Sequence, residues 1–274
     1  MTAGPGLAMA EIVGILNVTE DSFSDGGLFL DAGDAIKQGE RLLADGATWL
    51  DVGAESSNPA GERVSTEAEI ARLAPIVRHF KDGGARVSVD TYKPAVMQAV
   101  IELGADMIND VTGLGDPAAV DLLARHPGVS VVLMHARNTG PRAETVPRPY
   151  RDLVPEIRAY LEARLHELTT RGVARDRIVL DPGMGYFLGG NVEPSLWVLK
   201  HLEELRSLGL PLYISTSRKS FIGTVLAVAP RERGAGTLAT ELWALRHGAS
   251  YVRTHDVLQL SQAWAMWRAI ETVE

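Results

Sequence analysis

Val129-Ser130-Val131-Val132-Leu133-Met134, closed by His135, is an apolar run without alternation. A strand with one wet face alternates apolar and polar residues, whereas a strand covered on both faces does not. This segment therefore belongs inside a parallel sheet. Outward from it in both directions, short β-branched runs alternate with longer stretches whose apolar residues recur every three or four positions, the pattern of βα units. The strand runs are 11–19, 49–55, 86–91, 107–111, 129–136, 178–184, 211–216 and 251–257. The helical stretches are 34–45, 67–82, 94–103, 117–125, 153–171, 194–207, 237–246 and 260–271. Eight of each is the count of an α/β (β/α)8 TIM barrel. An open doubly wound sheet shares the local pattern, but its glycine-rich dinucleotide turn does not follow the first run. The 274 residues also sit near the roughly 250 typical of a barrel, so one domain spanning 1–274 is expected, with 1–10 as a flexible end.

The composition excludes several classes of function. Apolar residues at 46% and charged residues at 23% describe a chain that folds rather than a disordered one. Lys and Arg number 27 against 35 Asp and Glu, a net charge of −8, so nucleic acid is not the expected partner. There is no cysteine, which removes disulfides, thiolate metal sites and cysteine nucleophiles and fits a cytoplasmic protein. The first ten residues lack the charged start of a secretory signal, and no run approaches a membrane span, so no membrane partner is expected. The proline-rich segment 138–150 reads as a long mobile loop.

Barrel enzymes carry their chemistry at the carboxyl ends of the strands. Those ends hold Asn17 and Asp21, Glu55, Asp90, Asn109 and Asp110, His135, Asp181, Lys219, and Arg253 with His255 and Asp256. Asp and Asn also cap helices and start turns, so Asp90 and Asp181 can be structural, and one of Asn109 and Asp110 can be only a cap. His135 alone would more often be a wall residue. All eight ends being polar argues for a common rim. Arg218 and Lys219, among the hydroxyls of 215–223, together with Arg253-Thr254-His255 occupy the two loops that form the recurrent phosphate site of such barrels, which implies an anionic substrate. Asn17, Asp21, Ser22 and Ser24 offer hard oxygen donors suited to Mg²⁺ held mainly by substrate phosphates. The runs Glu203-Glu204 and Arg231-Glu232-Arg233 read as solvated faces. Trp243, Trp264 and Trp267 read as core, with a dimer face as the alternative.

A set of motifs runs in order along the chain: 17–27 NVTEDSFSDGG, 51–56 DVGAES, 88–92 SVDTY, 108–111 INDV, Met134-His135, Asp181-Pro182-Gly183, 217–223 SRKSFIG and 253–257 RTHDV. Together they resemble the dihydropteroate synthase family from the first strand to the eighth. The resemblance implies a (β/α)8 barrel that joins 4-aminobenzoate to 6-hydroxymethyl-7,8-dihydropterin pyrophosphate, releases pyrophosphate in folate biosynthesis, uses Mg²⁺ and forms a homodimer. By the same resemblance Asp90, Asn109 and Asp181 read the pterin edge, with Met134 in the substrate-binding set, and Lys219 lies over the ring. Arg253, His255 and, through Mg²⁺, Asn17 hold the pyrophosphate, while Ser220 receives the aminobenzoate carboxylate. Ser57, Pro59, Tyr186 and Phe187 complete the substrate-binding set.

Two segments depart from the family pattern. Glu55-Ser56-Ser57-Asn58-Pro59-Ala60 stands where the family usually shows Ser-Thr-Arg-Pro-Gly, so Ser57 and Asn58 replace Thr and an anion-contacting Arg. The sixth loop, 181–191 DPGMGYFLGGN, is longer than the usual Gly-Phe-Gly-Lys version and lacks its lysine. Both features are similar to the sulfonamide-insensitive, Sul-type members, and the added backbone with Tyr186 and Phe187 is expected to exclude the drug's overhang by steric clash. The alternatives are a catalytically silent pterin-binding paralogue and a pterin-dependent methyltransferase.

Overall fold

The computed structural model describes residues 10–18, 32–56, 63–138 and 140–273. Eight parallel strands, β1 (Glu11–Asn17), β2 (Trp49–Gly53), β3 (Val87–Asp90), β4 (Met107–Asp110), β5 (Ser130–Met134), β6 (Ile178–Asp181), β7 (Tyr213–Ile214) and β8 (Tyr251–Thr254), lie in the order β6-β5-β4-β3-β2-β1-β8-β7. A parallel bridge between Leu180 and Leu212, with the Leu180 N–H donating to the Pro211 carbonyl at 2.9 Å, joins the two ends and closes the barrel. The outer layer consists of α1 (Ala32–Ala44), α2 (Thr66–Asp82), α3 (Pro94–Glu102), α4 (Pro117–Arg125), α5 (Leu153–Thr170), α6 (Glu193–Lys200), α7 (Leu202–Leu205), α8 (Ser220–Leu226), α9 (Gly234–Arg246) and α10 (Val257–Thr272).

Outward-facing strand residues such as Leu50, Val89, Ile108, Val131, Leu133, Leu180 and Val252 are buried under the helices. Inward-facing ones form a separate layer of Val13, Trp49, Met107, Val132, Val179 and Tyr213, with Tyr251 packed against it. Both faces are thus covered, which is why β5 reads as an unbroken apolar run. Side chains on a strand return to the same face every second residue. Two positions beyond that apolar layer the interior turns polar: Trp49 gives way to Asp51, Met107 to Asn109, Val179 to Asp181, Tyr213 to Ser215 and Tyr251 to Arg253. The barrel therefore has an apolar floor and a polar upper storey.

The strands end earlier than the apolar runs suggest, because the chain turns away where the first polar residue meets the rim. The helix expected over 194–207 divides at His201. That residue's N–H is shared between the carbonyls of Trp197 at 3.1 Å and Val198 at 3.2 Å, and its ring lies 4.3 Å from the Trp197 ring. The segment 138–150 contains no helix or strand among its described residues, yet it is tied down rather than free. Arg137 Nη1 donates to the Pro149 carbonyl at 2.5 Å, the Arg148 N–H to Asn191 Oδ1 at 2.9 Å, and the Gly190 N–H to the Val146 carbonyl at 2.7 Å. Among the described residues no helix is long and apolar enough to cross a membrane.

Candidate active site

Arg253 stands at the centre of the polar storey. Its Nε donates to Asp51 Oδ2 at 2.5 Å and its Nη2 to Asp90 Oδ2 at 3.1 Å. Asp51 is fully buried, and it also accepts from Ser88 Oγ at 2.6 Å and from Asn109 Nδ2 at 3.2 Å. Burial works against the guanidinium's charge, but the Asp51 and Asp90 carboxylates outweigh it and hold Arg253 firmly protonated. Burial pushes the Asp90 carboxyl up; Arg253 opposes this and the Asp51 carboxylate adds to it. Two of the five guanidinium N–H groups are occupied, which leaves three for a ligand.

On the opposite wall Asp181 ends β6, and its Oδ1 accepts the Gly183 N–H at 2.7 Å. Gly183 has φ +77°, and a Cβ there would stand 2.3 Å from the His135 carbonyl oxygen, so this turn requires glycine. Burial raises the Asp181 carboxyl to about 6, against the pull of the Gly183 N–H, Lys219 and Arg253. Burial lowers the Lys219 amine to about 8, opposed by Asp181. Lys219 Nζ lies 5.4 Å from the centroid of the Phe187 ring. Its direction is set by Arg218, which adopts φ +55°. Arg218 is fixed there by its N–H on Thr237 Oγ1 at 3.0 Å, by Arg233 Nη1 on its carbonyl at 2.8 Å and by its own ion pair with Asp256 at 2.5 Å. Strain held in place by several contacts of this kind is common where a side chain must be aimed.

Two confluent pockets share Asp90, Phe187, Ser215, Lys219 and Arg253. The outer one, about 480 Å³, is also lined by Asn17, Tyr186, Ser220, Arg233 and His255, and the narrow inner one by Asn109, Met134, Asp181 and Tyr213. The structure thus gathers Asn17, Asp90, Asn109, Met134, Asp181, Tyr186, Phe187, Lys219, Ser220, Arg253 and His255 at one mouth. Asp21, Ser57, Asn58 and Pro59 lie outside the described residues. His255 Nδ1 is 2.9 Å from Ser217 Oγ, which also accepts the His255 backbone N–H at 3.1 Å. Burial, with Arg253 and Arg218 nearby, lowers His255 to about 3, so the ring is neutral.

Several rim residues have structural duties instead. Asp110 caps a turn through its Oδ1, which accepts the Thr112 N–H and Oγ1–H, each at 2.7 Å. His135 is a wall residue, 5.2 Å from the Tyr160 ring with Nδ1 3.3 Å from the Pro182 carbonyl. Glu55 does line the outer pocket, but its carboxylate is already neutralised by Lys93 at 2.5 Å and accepts from Tyr92 Oη at 3.0 Å. Arg233 corrects the expectation of a solvated charge run: it folds back over Arg218 and lines the mouth. Asp51 is the main residue the sequence reading passed over. The one trace it leaves in the sequence is a carboxylate inside an otherwise apolar strand, which locally looks like a lapse in the pattern.

A family model described as pterin binding enzyme matches residues 13–255. The type-3 dihydropteroate synthase of Escherichia coli is 42% identical over 263 residues, covering 96% of this chain and 100% of that relative. The chain belongs to the dihydropteroate synthase family. Among solved dihydropteroate synthases, that of Xanthomonas albilineans with 4-aminobenzoic acid superposes with a TM-score of 0.89 at 36% identity, covering 98% of this chain and 95% of that one. The same Xanthomonas enzyme in complex with 7,8-dihydropteroate gives 0.86 at 36% identity, with 98% and 97% covered. A dihydropteroate synthase is a transferase, one that makes dihydropteroate.

Proposed function

We propose that this enzyme seats 6-hydroxymethyl-7,8-dihydropterin pyrophosphate with its base in the inner pocket and its diphosphate toward Arg253 and His255, and joins it to 4-aminobenzoate held in the outer pocket near Ser220. The observation that carries this reading is the convergence of Asp90, Asn109 and Asp181 with Lys219 and Arg253 in one pocket. Carboxylates and an amide suit the N–H-rich edge of a pterin, and a ring lacking those partners would leave buried polar atoms unpaired. The bond from the methylene carbon to the diphosphate breaks and pyrophosphate leaves, the pterin-stabilised cation is captured by the aromatic amine, and the new ammonium nitrogen gives up one proton to the departing pyrophosphate or to solvent. Arg253 stabilises the departing charge through its three remaining N–H groups, and neutral His255 contributes a hydrogen bond without competing charge. Lys219 and the acidic wall fix the ring so that the amine meets the cation before water does.

Mg²⁺ belongs to the same reading. Asn17 lines the outer pocket, where its Oδ1 would be the protein's donor to the ion and substrate phosphate oxygens would supply the rest, a division magnesium favours. The ion, when bound, adds charge neutralisation at the diphosphate. Cytoplasmic location and a homodimer complete the proposal. The dimer is supported by the face of α9 and α10, where Trp243 is 47%, Met266 61% and Ile270 65% exposed beside a groove of about 490 Å³. Incubating the purified protein with both substrates and Mg²⁺ is expected to yield dihydropteroate and pyrophosphate in equal amounts; product formed without 4-aminobenzoate, or none with it, would reject the reading.

The pocket's titration gives a further expectation. Asp181 must be ionised to accept from the base, and its carboxyl titrates at about 6; Lys219 must be protonated, and its amine titrates at about 8. Asp90, the second acceptor, is raised to about 7, so the profile of kcat/KM for the pterin substrate should rise with pH between about 6 and 7 and fall above about 8. In Lys219→Arg the falling limb should disappear, which a pH series of initial rates would check.

Reduced sulfonamide sensitivity is proposed from the sixth loop. Residues Gly185–Phe187 form a 3₁₀ turn with Phe187 buried. The Phe187 carbonyl accepts the Arg137 N–H at 2.9 Å, and the Gly190 N–H reaches the Val146 carbonyl at 2.7 Å. A Cβ at Gly190 would stand 1.8 Å from the Thr145 carbonyl oxygen, so the two segments are clamped backbone to backbone. A wall this stiff accepts the small natural acid and resists a substituent projecting beyond it. Shortening 188–191 by two residues should lower the sulfonamide inhibition constant about tenfold or more while leaving the KM for 4-aminobenzoate nearly unchanged. An unchanged inhibition constant would reject the steric account.

A further inference from the structure

Tyr213 begins β7 and points into the barrel, where its ring lies 6.0 Å from that of Tyr251 at an interplanar angle of 26°. It is fully buried within the apolar floor layer, and a phenylalanine would fill the same space. The hydroxyl is a different matter. It is buried and has no hydrogen-bond partner in the protein, a situation that is costly unless something else satisfies the group. Tyr213 also lines the inner pocket from below, together with Asp90, Asn109, Asp181, Ser215 and Lys219. Burial and the nearby Asp51, Asp181 and Asp90 carboxylates push its ionisation well above the usual phenol range, so it keeps its proton.

We propose that Tyr213 is a substrate-contacting residue of the pocket floor, its hydroxyl donating a hydrogen bond to an acceptor nitrogen or carbonyl of the bicyclic base. The assignment rests on the reading of the inner pocket as the pterin seat and deepens it. Asp90 and Asp181 can only accept from the base when ionised, so they read its N–H groups. A pterin carries acceptors between those donors, and the Tyr213 hydroxyl supplies the opposite polarity from the floor. A base with donors alone, or one with its acceptors elsewhere, would leave the hydroxyl buried and unpaired, so the contact sharpens selection as well as affinity.

The test is Tyr213→Phe, which keeps the ring and its packing on Tyr251 and removes only the hydroxyl. Binding of 6-hydroxymethyl-7,8-dihydropterin pyrophosphate is measured by calorimetry without 4-aminobenzoate, alongside KM for each substrate, kcat and Tm. The expected result is a Kd and a pterin KM raised roughly three- to tenfold, with the 4-aminobenzoate KM and kcat little changed and Tm unchanged or higher. A variant that binds the pterin as tightly as the wild type would overturn the assignment, as would a loss of affinity shared equally by both substrates. A wild-type protein with no pterin affinity at all would instead remove the reading of the pocket itself, and the assignment with it.

Discussion

Arg253→Met should lower turnover by about a hundred- to a thousandfold and destabilise the fold by about 3–5 kcal/mol. The two effects share a cause. Arg253 neutralises Asp51 and Asp90 together, at 2.5 Å and 3.1 Å, and methionine fills its volume without its charge. Asp51, fully buried, would keep only Ser88 and Asn109 as partners. With the cation gone, the Asp90 carboxyl, which burial already raises and Arg253 holds down, favours its protonated form still more in the folded state. For an acid whose folded-state pKa is raised, stability is greatest below the unfolded value near 4 and declines as pH rises toward the folded value, so the variant's deficit should grow with pH. Urea unfolding at pH 5 and pH 8 would show this as a larger loss at pH 8. Adding Asp51→Asn should recover part of the stability and none of the activity, because the diphosphate contact is still missing. A stable variant with near-normal kcat would mean that Arg253 neither balances those acids nor touches the leaving group.

Asp181→Ala is expected to lower kcat/KM for the pterin substrate by about a thousandfold or more, the scale on which a site built to hydrogen-bond a ligand responds when that partner is missing. The cost to the fold should be small. Burial already holds this carboxyl up at about 6, so at pH 8 its charge is a burden in the folded state, and removing it offsets the lost bond to Gly183. Tm at pH 8 should therefore change little while activity collapses. Asp181→Asn separates the contributions further: its amide oxygen can still accept from Gly183, but its N–H groups meet donors of the base. Near-normal activity in either variant would contradict the role assigned to this wall.

Asp90 and Asp181 were legible because each follows a short apolar run at a strand end, where the barrel geometry collects chemistry. Asp51 follows the same inward period two residues beyond Trp49, but it sits between Leu50 and Val52 in mid-strand, and nothing local distinguishes an interior carboxylate from a lapse in the apolar pattern. Its partner Arg253 is about two hundred residues away, and the pairing exists only once β8 closes on β1. Tyr213 carries the same difficulty in another form: an aromatic residue in a strand reads as core, and its ring is core, while the hydroxyl at its tip is not. Arg233 looked solvated because its neighbours Arg231 and Glu232 are, and only the fold-back of the chain between α8 and α9 brings it over Arg218. His135 went as its setting suggested, a lone polar residue at the end of an apolar strand whose ring the Tyr160 side chain and the Pro182 carbonyl claim for the wall.

The most direct test of the central claim is a crystal structure of the protein soaked with 6-hydroxymethyl-7,8-dihydropterin pyrophosphate. The account predicts the ring between Asp90, Asn109 and Asp181 above Tyr213, with the diphosphate against Arg253 and His255. A ring bound elsewhere on the surface, or one turned so that the diphosphate faces Asp181, would contradict it.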